Sequence, residues 1–333
     1  MSVAYSVLGV LLLTVGVGDL LWTTLWVEGG AGPLTSRSMP SVWRALKRIG
    51  KQRPRVLSLS GPLILVFGLA TWLALLWAGW TLVFAGAEGV LVDTREGGPV
   101  SWAERFYFVG YSVFTLGNGD FAPRDGVWQI VTVLVTASGM LFVTLSVTYV
   151  LSVLDAVTQK RSFASGVSGL GTRSDAIVRT SWNGEAFRGL DLPLNTFTAQ
   201  LNALTANHKA YPILHYFFSA QRDQAPALSV TILDEALTLL RFGVPERNRP
   251  DEILVRNARS SVRNYLATLH EAFITPASRT PPAPTLDSLR EAGVPTVSDD
   301  EFARSLDALD ERRRQLLGLV ETDARRWPSR ENG

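Results

Sequence analysis

The sequence predicts an all-α integral membrane protein in which three transmembrane helices are followed by a cytosolic α-helical domain. Three observations lead there. Three apolar runs reach the roughly 20 residues that a helix needs to cross a bilayer. The composition, 47% hydrophobic and 19% charged over 333 residues, is apolar for a soluble chain yet too charged for one immersed in lipid throughout. All three runs precede Ser162, and helical periodicity with abundant charge follows. With no cysteine, disulfides and thiolate metal sites are excluded. The formal net charge of +2 is uninformative by itself, and no nucleic-acid partner is expected.

The first run, Val3 to Trp26, has Asp19 as its one charge. A cleaved signal peptide is the competing reading, but no Lys or Arg precedes the run and no A-x-A site follows, so a retained helix is expected. The second run is Val56 to Ala85, with Pro62 in the first turn, where a missing N–H costs little. The third, Val127 to Val157, is long enough to pass beyond the hydrocarbon.

Charge in the flanks sets the orientation. Between the first two runs Arg37, Arg44, Lys47, Arg48, Lys51, Arg53 and Arg55 face only Glu28, which makes that loop cytoplasmic and puts the N-terminus outside. Glu88, Asp93, Glu96 and Glu104, against Arg95 and Arg105, suit an outer face. Lys160 and Arg161 close the third helix on the inner side.

On the outer side, "WAERFYFVGYSVF" is an amphipathic segment too short to span, and "TLGNGDFAP" follows it. Irregular backbone at membrane depth survives only when buried in protein or lining a water-filled path. Thr115-Leu116-Gly117-Asn118-Gly119 has the composition for a strand whose carbonyls all turn one way, because glycine, and less readily asparagine, accepts left-handed dihedrals. Carbonyls aimed at a shared axis can replace a cation's hydration shell.

In these residues the chain resembles the two-helix pore module of the potassium channel superfamily, in a bacterial form with an extra N-terminal transmembrane helix. Outer helix, re-entrant pore helix, "TLGNGD" and inner helix occur in the family's order over roughly residues 56 to 158. The resemblance implies a homotetramer in membrane lipid, with K+ as the permeant species and no cofactor. It implies ion ligands at Thr115, Leu116, Gly117 and Asn118, with Gly119 completing the filter, and an acidic ring of Asp120 at the outer mouth. Tyr107 stands where the family often has a tryptophan that bonds the filter-flanking acid, and Tyr111 belongs to the same filter support. Asn118 departs from the family's usual Tyr or Phe, so a weakly selective cation pore stands beside a potassium-selective one. A non-conducting membrane-anchored scaffold is the reading from another class.

The expected organisation is an extra helix at 1–27, a basic cytoplasmic loop at 28–55, the pore module at 56–158 and the cytosolic helical domain at 159–333. The membrane implied is the bacterial cytoplasmic one, with the C-terminal domain inside. Gly139 falls at the spacing of the family's hinge glycine, and close packing against a neighbouring helix is an equal alternative. Met140, Val143, Val147, Leu151 and Leu154 recur at helical spacing and suit either an inner cavity and gate or a lipid-facing stripe. Asp19 reads as a structural pairing, with Arg44 or Lys47 as partner, in preference to a gating group. No arginine-rich span is present, so voltage sensing by that route is not expected.

Beyond Ser162, "GVSGLGTRSD" reads as a linker and not as a nucleotide loop. Helical patterns follow near Ser174–Arg188, Leu192–Ser219, Ala227–Phe242, Pro250–Ile274 and Ser298–Trp327, and "TPASRTPPAP" at 275–284 is an extended connector. His208 and His215, with Asp223, Asp234 and Glu235 nearby, raise a metal or hydrolytic site, but their spacing favours a packed aromatic core. An enzyme is not expected.

Overall fold

The computed structural model describes residues 3–26, 30–50, 54–95, 97–124 and 126–328. Glu28, Lys51, Arg53 and Glu96, which entered the charge argument, lie outside the described residues. Contacts divide the chain into two compact units, the first up to Ala45 with Pro62–Leu154 and the second Leu46–Gly61 with Asp155 onward.

Three helices are long and apolar enough to cross a membrane: α1 (Val3–Leu25), α4 (Ser60–Ala85) and α6 (Val127–Leu170). In the first unit α1 lies against α4 through small residues. A Cβ on Gly9 would fall within 3 Å of the Gly79 carbonyl and Val83, and one on Gly16 within 3 Å of Leu75. In lipid, where apolar burial gives no drive, such close backbone approach is what holds helices together.

The segment expected as a loop is instead helix α2 (Pro33–Gly50), with Pro33 at its first position, where a proline costs nothing. Its N-terminal N–H groups explain Asp19. The buried carboxylate accepts from Leu34 N at 2.7 Å, Thr35 N at 3.2 Å and the Thr35 hydroxyl, and Trp72 Nε1 of α4 donates to it at 2.8 Å. The cationic partner expected from the sequence is thus replaced by a helix N-terminus, whose partial positive charge favours an anion.

The amphipathic segment is α5 (Trp102–Val113), started by a capping box in which Ser101 Oγ accepts from Glu104 N and Glu104 takes the Ser101 N–H at 2.7 Å. It leans on α4: Gly110 leaves room for the Trp77 ring, and Trp77 Nε1 donates to Phe106 O at 2.8 Å. Two short strands, β1 (Leu91–Asp93) and β2 (Phe121–Pro123), pair antiparallel and join the segment before α5 to the segment after residues 115–119.

The second unit packs around α9 (Pro226–Thr238), every residue of which is buried. Such a helix must neutralise its own charges. Asp234 receives Arg312 and Glu235 receives Arg313 Nε at 3.0 Å, both from α13 (Asp310–Thr322), which takes these carboxylates out of any metal site. No cluster of metal-ligating side chains occurs among the described residues. Burial holds His208 neutral, down to about 3, and His215 well below its usual range. His208 Nδ1 lies 2.9 Å from Leu204 O, and His215 stacks on Phe273 at 4.4 Å, which is the aromatic core.

Several expected boundaries move. The glycine-rich linker is mostly helix, because α6 runs on to Leu170 with Phe163 and Val167 buried and Gly166 fitted against Phe197. The 174–188 pattern ends at α7 (Ser174–Thr180), where Asn183-Gly184 turns the chain and Asn183 Oδ1 accepts from Glu185 N and Ala186 N. The 192–219 pattern stops with α8 (Asp191–Ala210), since Pro212 opens a 3₁₀ turn, Pro212–Tyr216. The 298–327 pattern is two helices, α12 (Asp299–Asp307) and α13. The connector at 275–284 has no regular structure but docks on α13, with Ala277 N donating to Arg314 O and Arg313 Nη2 to Pro282 O.

The 3₁₀ turn bonds the start of α4 and the Lys160 region of α6. Lys160 of α6 donates to Leu214 O at 2.8 Å and Phe217 O at 3.3 Å, Ser60 of α4 donates to Tyr216 O at 2.6 Å, and Gly61 leaves room for the Phe217 ring. Lys160→Met keeps the apolar stem but strips two buried carbonyls of their donor, at about 1–3 kcal/mol. Thermal unfolding of the purified chain in detergent is expected to shift down by several degrees. An unchanged midpoint would remove the turn's anchoring role.

Candidate ion pore

The residues after α5 have a backbone that few sequences tolerate. Thr115, Gly117 and Gly119 take φ of 60, 62 and 79°, and among the described non-glycine residues only Thr115 and Ala324 have positive φ. A β-branched residue there is an outlier that costs about 1–3 kcal/mol and persists where function selects it. Left-handed residues therefore alternate with Leu116 and Asn118. Alternating hand turns successive carbonyls to one side of a strand, the arrangement that replaces a cation's water shell. Phe114 through Gly119 are exposed on the single chain.

This segment is held at both ends. At its start Leu116 N bonds Tyr111 O at 2.8 Å and Phe114 N bonds Gly110 O, so the strand leaves directly from the α5 C-terminus, whose partial negative charge favours a cation. At its far end a relay runs across the side chains: Asn118 Nδ2 donates to Tyr107 Oη at 2.6 Å, and Tyr107 Oη donates to Asp120 Oδ2 at 3.0 Å. Asp120 also lies 3.9 Å from Arg95. Tyr111 Oη donates to Phe121 O at 2.7 Å, fixing β2 to α5.

Two features were not read from the sequence. Asn118 engages Tyr107 through its amide, a bond between positions whose proximity only the fold reveals. Thr94 Oγ1 lies 2.8 Å from Gly119 O and 2.9 Å from Asp120 O. Gly119, grouped with the ion ligands on sequence, therefore has its carbonyl tied to the β1 end.

Against known proteins, a family profile described as "Ion channel" matches residues 65–156, which takes in α5, the strand and most of the apolar part of α6. The chain is 44% identical over 331 residues to an uncharacterized membrane protein, YdjJ, of Bacillus subtilis (strain 168), covering 99% of this chain and 97% of that one. The chain belongs to the pore-loop ion channel family. No solved structure matches. The similarity to the Bacillus protein extends through the helical C-terminal region, so in this channel that region is as much part of the shared architecture as the pore module.

Within the channel module, Gly139 of α6 touches the α5 end: a Cβ there would run into the Val113 carbonyl group. The helix is uninterrupted through it. Packing alone thus accounts for glycine at this position. Met140, Val143, Val147 and Leu151 are exposed along one stripe of α6, and Leu154 continues it.

Proposed function

We propose that the protein is a homotetrameric, potassium-selective channel that conducts passively across the bacterial cytoplasmic membrane. The observation that carries this reading is the alternation of left-handed residues at 115, 117 and 119 in an exposed strand. One chain supplies one wall, and carbonyls on one side of a strand make a cage only when several chains surround an axis. K+ is held by the carbonyls of Thr115, Leu116, Gly117 and Asn118 and by the Thr115 hydroxyl, while Asp120 makes an acidic ring outside. Met140, Val143, Val147 and Leu151 line the cavity and inner gate, and Gly139 both seats α5 and permits bending on opening. The N-terminus is outside and the C-terminal region cytoplasmic, in line with the basic residues of α2 and with Lys160 and Arg161.

A weakly selective pore is the second reading, because the aromatic that usually backs the filter is Asn118. The relay to Tyr107 and Asp120 supports selectivity all the same, since it braces the strand from behind. Purified protein in liposomes is expected to pass K+ with a reversal potential that follows the K+ gradient in mixed K+ and Na+ solutions. A reversal potential indifferent to which cation forms the gradient gives the weakly selective pore. No flux from correctly inserted protein gives the non-conducting scaffold.

The relay has its own test. Tyr107→Phe removes an acceptor from Asn118 and a donor from Asp120, each bond being worth about 0.5–1.5 kcal/mol. K+ over Na+ preference is expected to fall several-fold. Tyr107→Trp restores a donor but no acceptor and should recover part of the loss. Equal preference in wild type and Tyr107→Phe would show that the relay does not brace the filter.

A further inference from the structure

Directly after β1 the chain makes a tight turn in which Asp93 Oδ1 accepts from Arg95 N at 2.8 Å. This turn is fastened to the end of the strand at 115–119. Thr94 N donates to Asp120 O at 3.1 Å, and the Thr94 hydroxyl lies 2.8 Å from Gly119 O and 2.9 Å from Asp120 O. Alongside, β1 pairs with β2, and Asp93 stands opposite Phe121. The backbone therefore delivers the next residue, Arg95, to the place where that strand ends.

The Arg95 guanidinium lies 5.7 Å from the centre of the Phe121 ring, with Nη1 3.9 Å from Asp120 Oδ1 and Nε 4.0 Å from Asp93 Oδ1. None of these contacts buries it, since its side chain is 60% exposed. An ion pair this long and this open adds little to stability. Asp120 is also held without it, because Tyr107 Oη donates to the other carboxylate oxygen at 3.0 Å. The field of the arginine is a different matter. A charge acts over a Debye length, about 8 Å at physiological ionic strength, without needing a good hydrogen bond.

On the channel reading above, in which Asp120 forms an acidic ring at the outer mouth, we propose that Arg95 sets how strongly that ring gathers cations. An acidic mouth raises the local K+ concentration ahead of the first carbonyl site. Arg95 stands beside the Asp120 of each subunit and cancels part of that attraction, so it holds down K+ entry when K+ is dilute. It touches neither the ion nor a carbonyl ligand, and acts through the charge it places beside Asp120.

Unitary conductance of the full chain in bilayers of uncharged phospholipid, with symmetric KCl raised in steps, tests this. At about 10 mM, where the Debye length is about 30 Å, Arg95→Gln is expected to raise conductance about twofold and Arg95→Glu further. Arg95→Lys, which keeps the charge, should match wild type. At about 1 M, where the Debye length is about 3 Å, all four proteins should converge. Misfolding cannot produce a gain of this kind, and K+ over Na+ preference should be the same throughout. A purely structural role on Phe121 or Asp120 would instead give changes that persist at high salt or that Arg95→Lys also shows, and either result overturns the proposal. Equal conductance of wild type and Arg95→Glu in dilute KCl overturns it as well, while leaving the channel reading in place. No current from the wild type overturns that reading, and this inference with it.

Discussion

Gly117→Ala and Gly119→Ala are each expected to abolish conduction while leaving a folded, membrane-inserted protein. Space is not the obstacle, because a Cβ at either glycine meets nothing within 4 Å on the chain itself. Conformation is. At φ of 62 and 79° an L-residue carries about 1–2 kcal/mol of steric cost, and relaxing to negative φ rotates the peptide and takes its carbonyl off the shared side. In the proposed fourfold assembly the cost is repeated in every subunit, reaching about 4–8 kcal/mol, comparable with the whole stability of a domain. The proposed filter is then expected to give up its geometry before the fold gives way.

Thr115 shows that such strain is tolerated once in this segment, at the residue proposed to add a hydroxyl to the carbonyls. Single-channel or flux recordings of both glycine variants, beside a check of assembly by size-exclusion chromatography, decide the matter. Unchanged currents in both would mean that the strand at 115–119 does not carry the ion.

Where local chemistry dictates geometry, the sequence was readable. Glycine spacing in "TLGNGD" acts within a few residues, and the structure places left-handed dihedrals at Gly117 and Gly119. Apolar length likewise revealed the three spans, since nothing but a helix of that length satisfies its backbone in lipid. What escaped depends on distant partners. Asp19 looked like half of an ion pair because side-chain charge is visible in a sequence, whereas the N–H groups of a helix start are not. Helix α2 was hidden by Pro40 and by a charge pattern that suits a cytoplasmic loop as well as an amphipathic helix. In the second unit, the division of 298–327 into α12 and α13 goes with bringing Arg312 and Arg313 to Asp234 and Glu235, a demand set by a helix far away in the chain. The bond from Asn118 to Tyr107 is of the same kind: both residues were singled out, but not as partners.

Gly139→Ala separates two roles that the sequence could not. If the position mattered only as a place for α6 to bend, alanine would stiffen the helix by roughly 1 kcal/mol and reduce opening, with unitary conductance intact. The structure puts the Val113 carbonyl group where that Cβ would go, in backbone that carries the proposed filter directly after it. Backbone cannot swing aside as a flexible side chain can, so α5 and α6 must separate, at the 1–3 kcal/mol typical of overpacking. The displaced element ends at Val113, just before Thr115, the first proposed ion ligand. Loss of unitary conductance, or of K+ preference, is therefore expected alongside any change in opening, together with a lower thermal midpoint. Normal conductance at reduced open probability, with unchanged thermal stability, would instead assign Gly139 to bending alone.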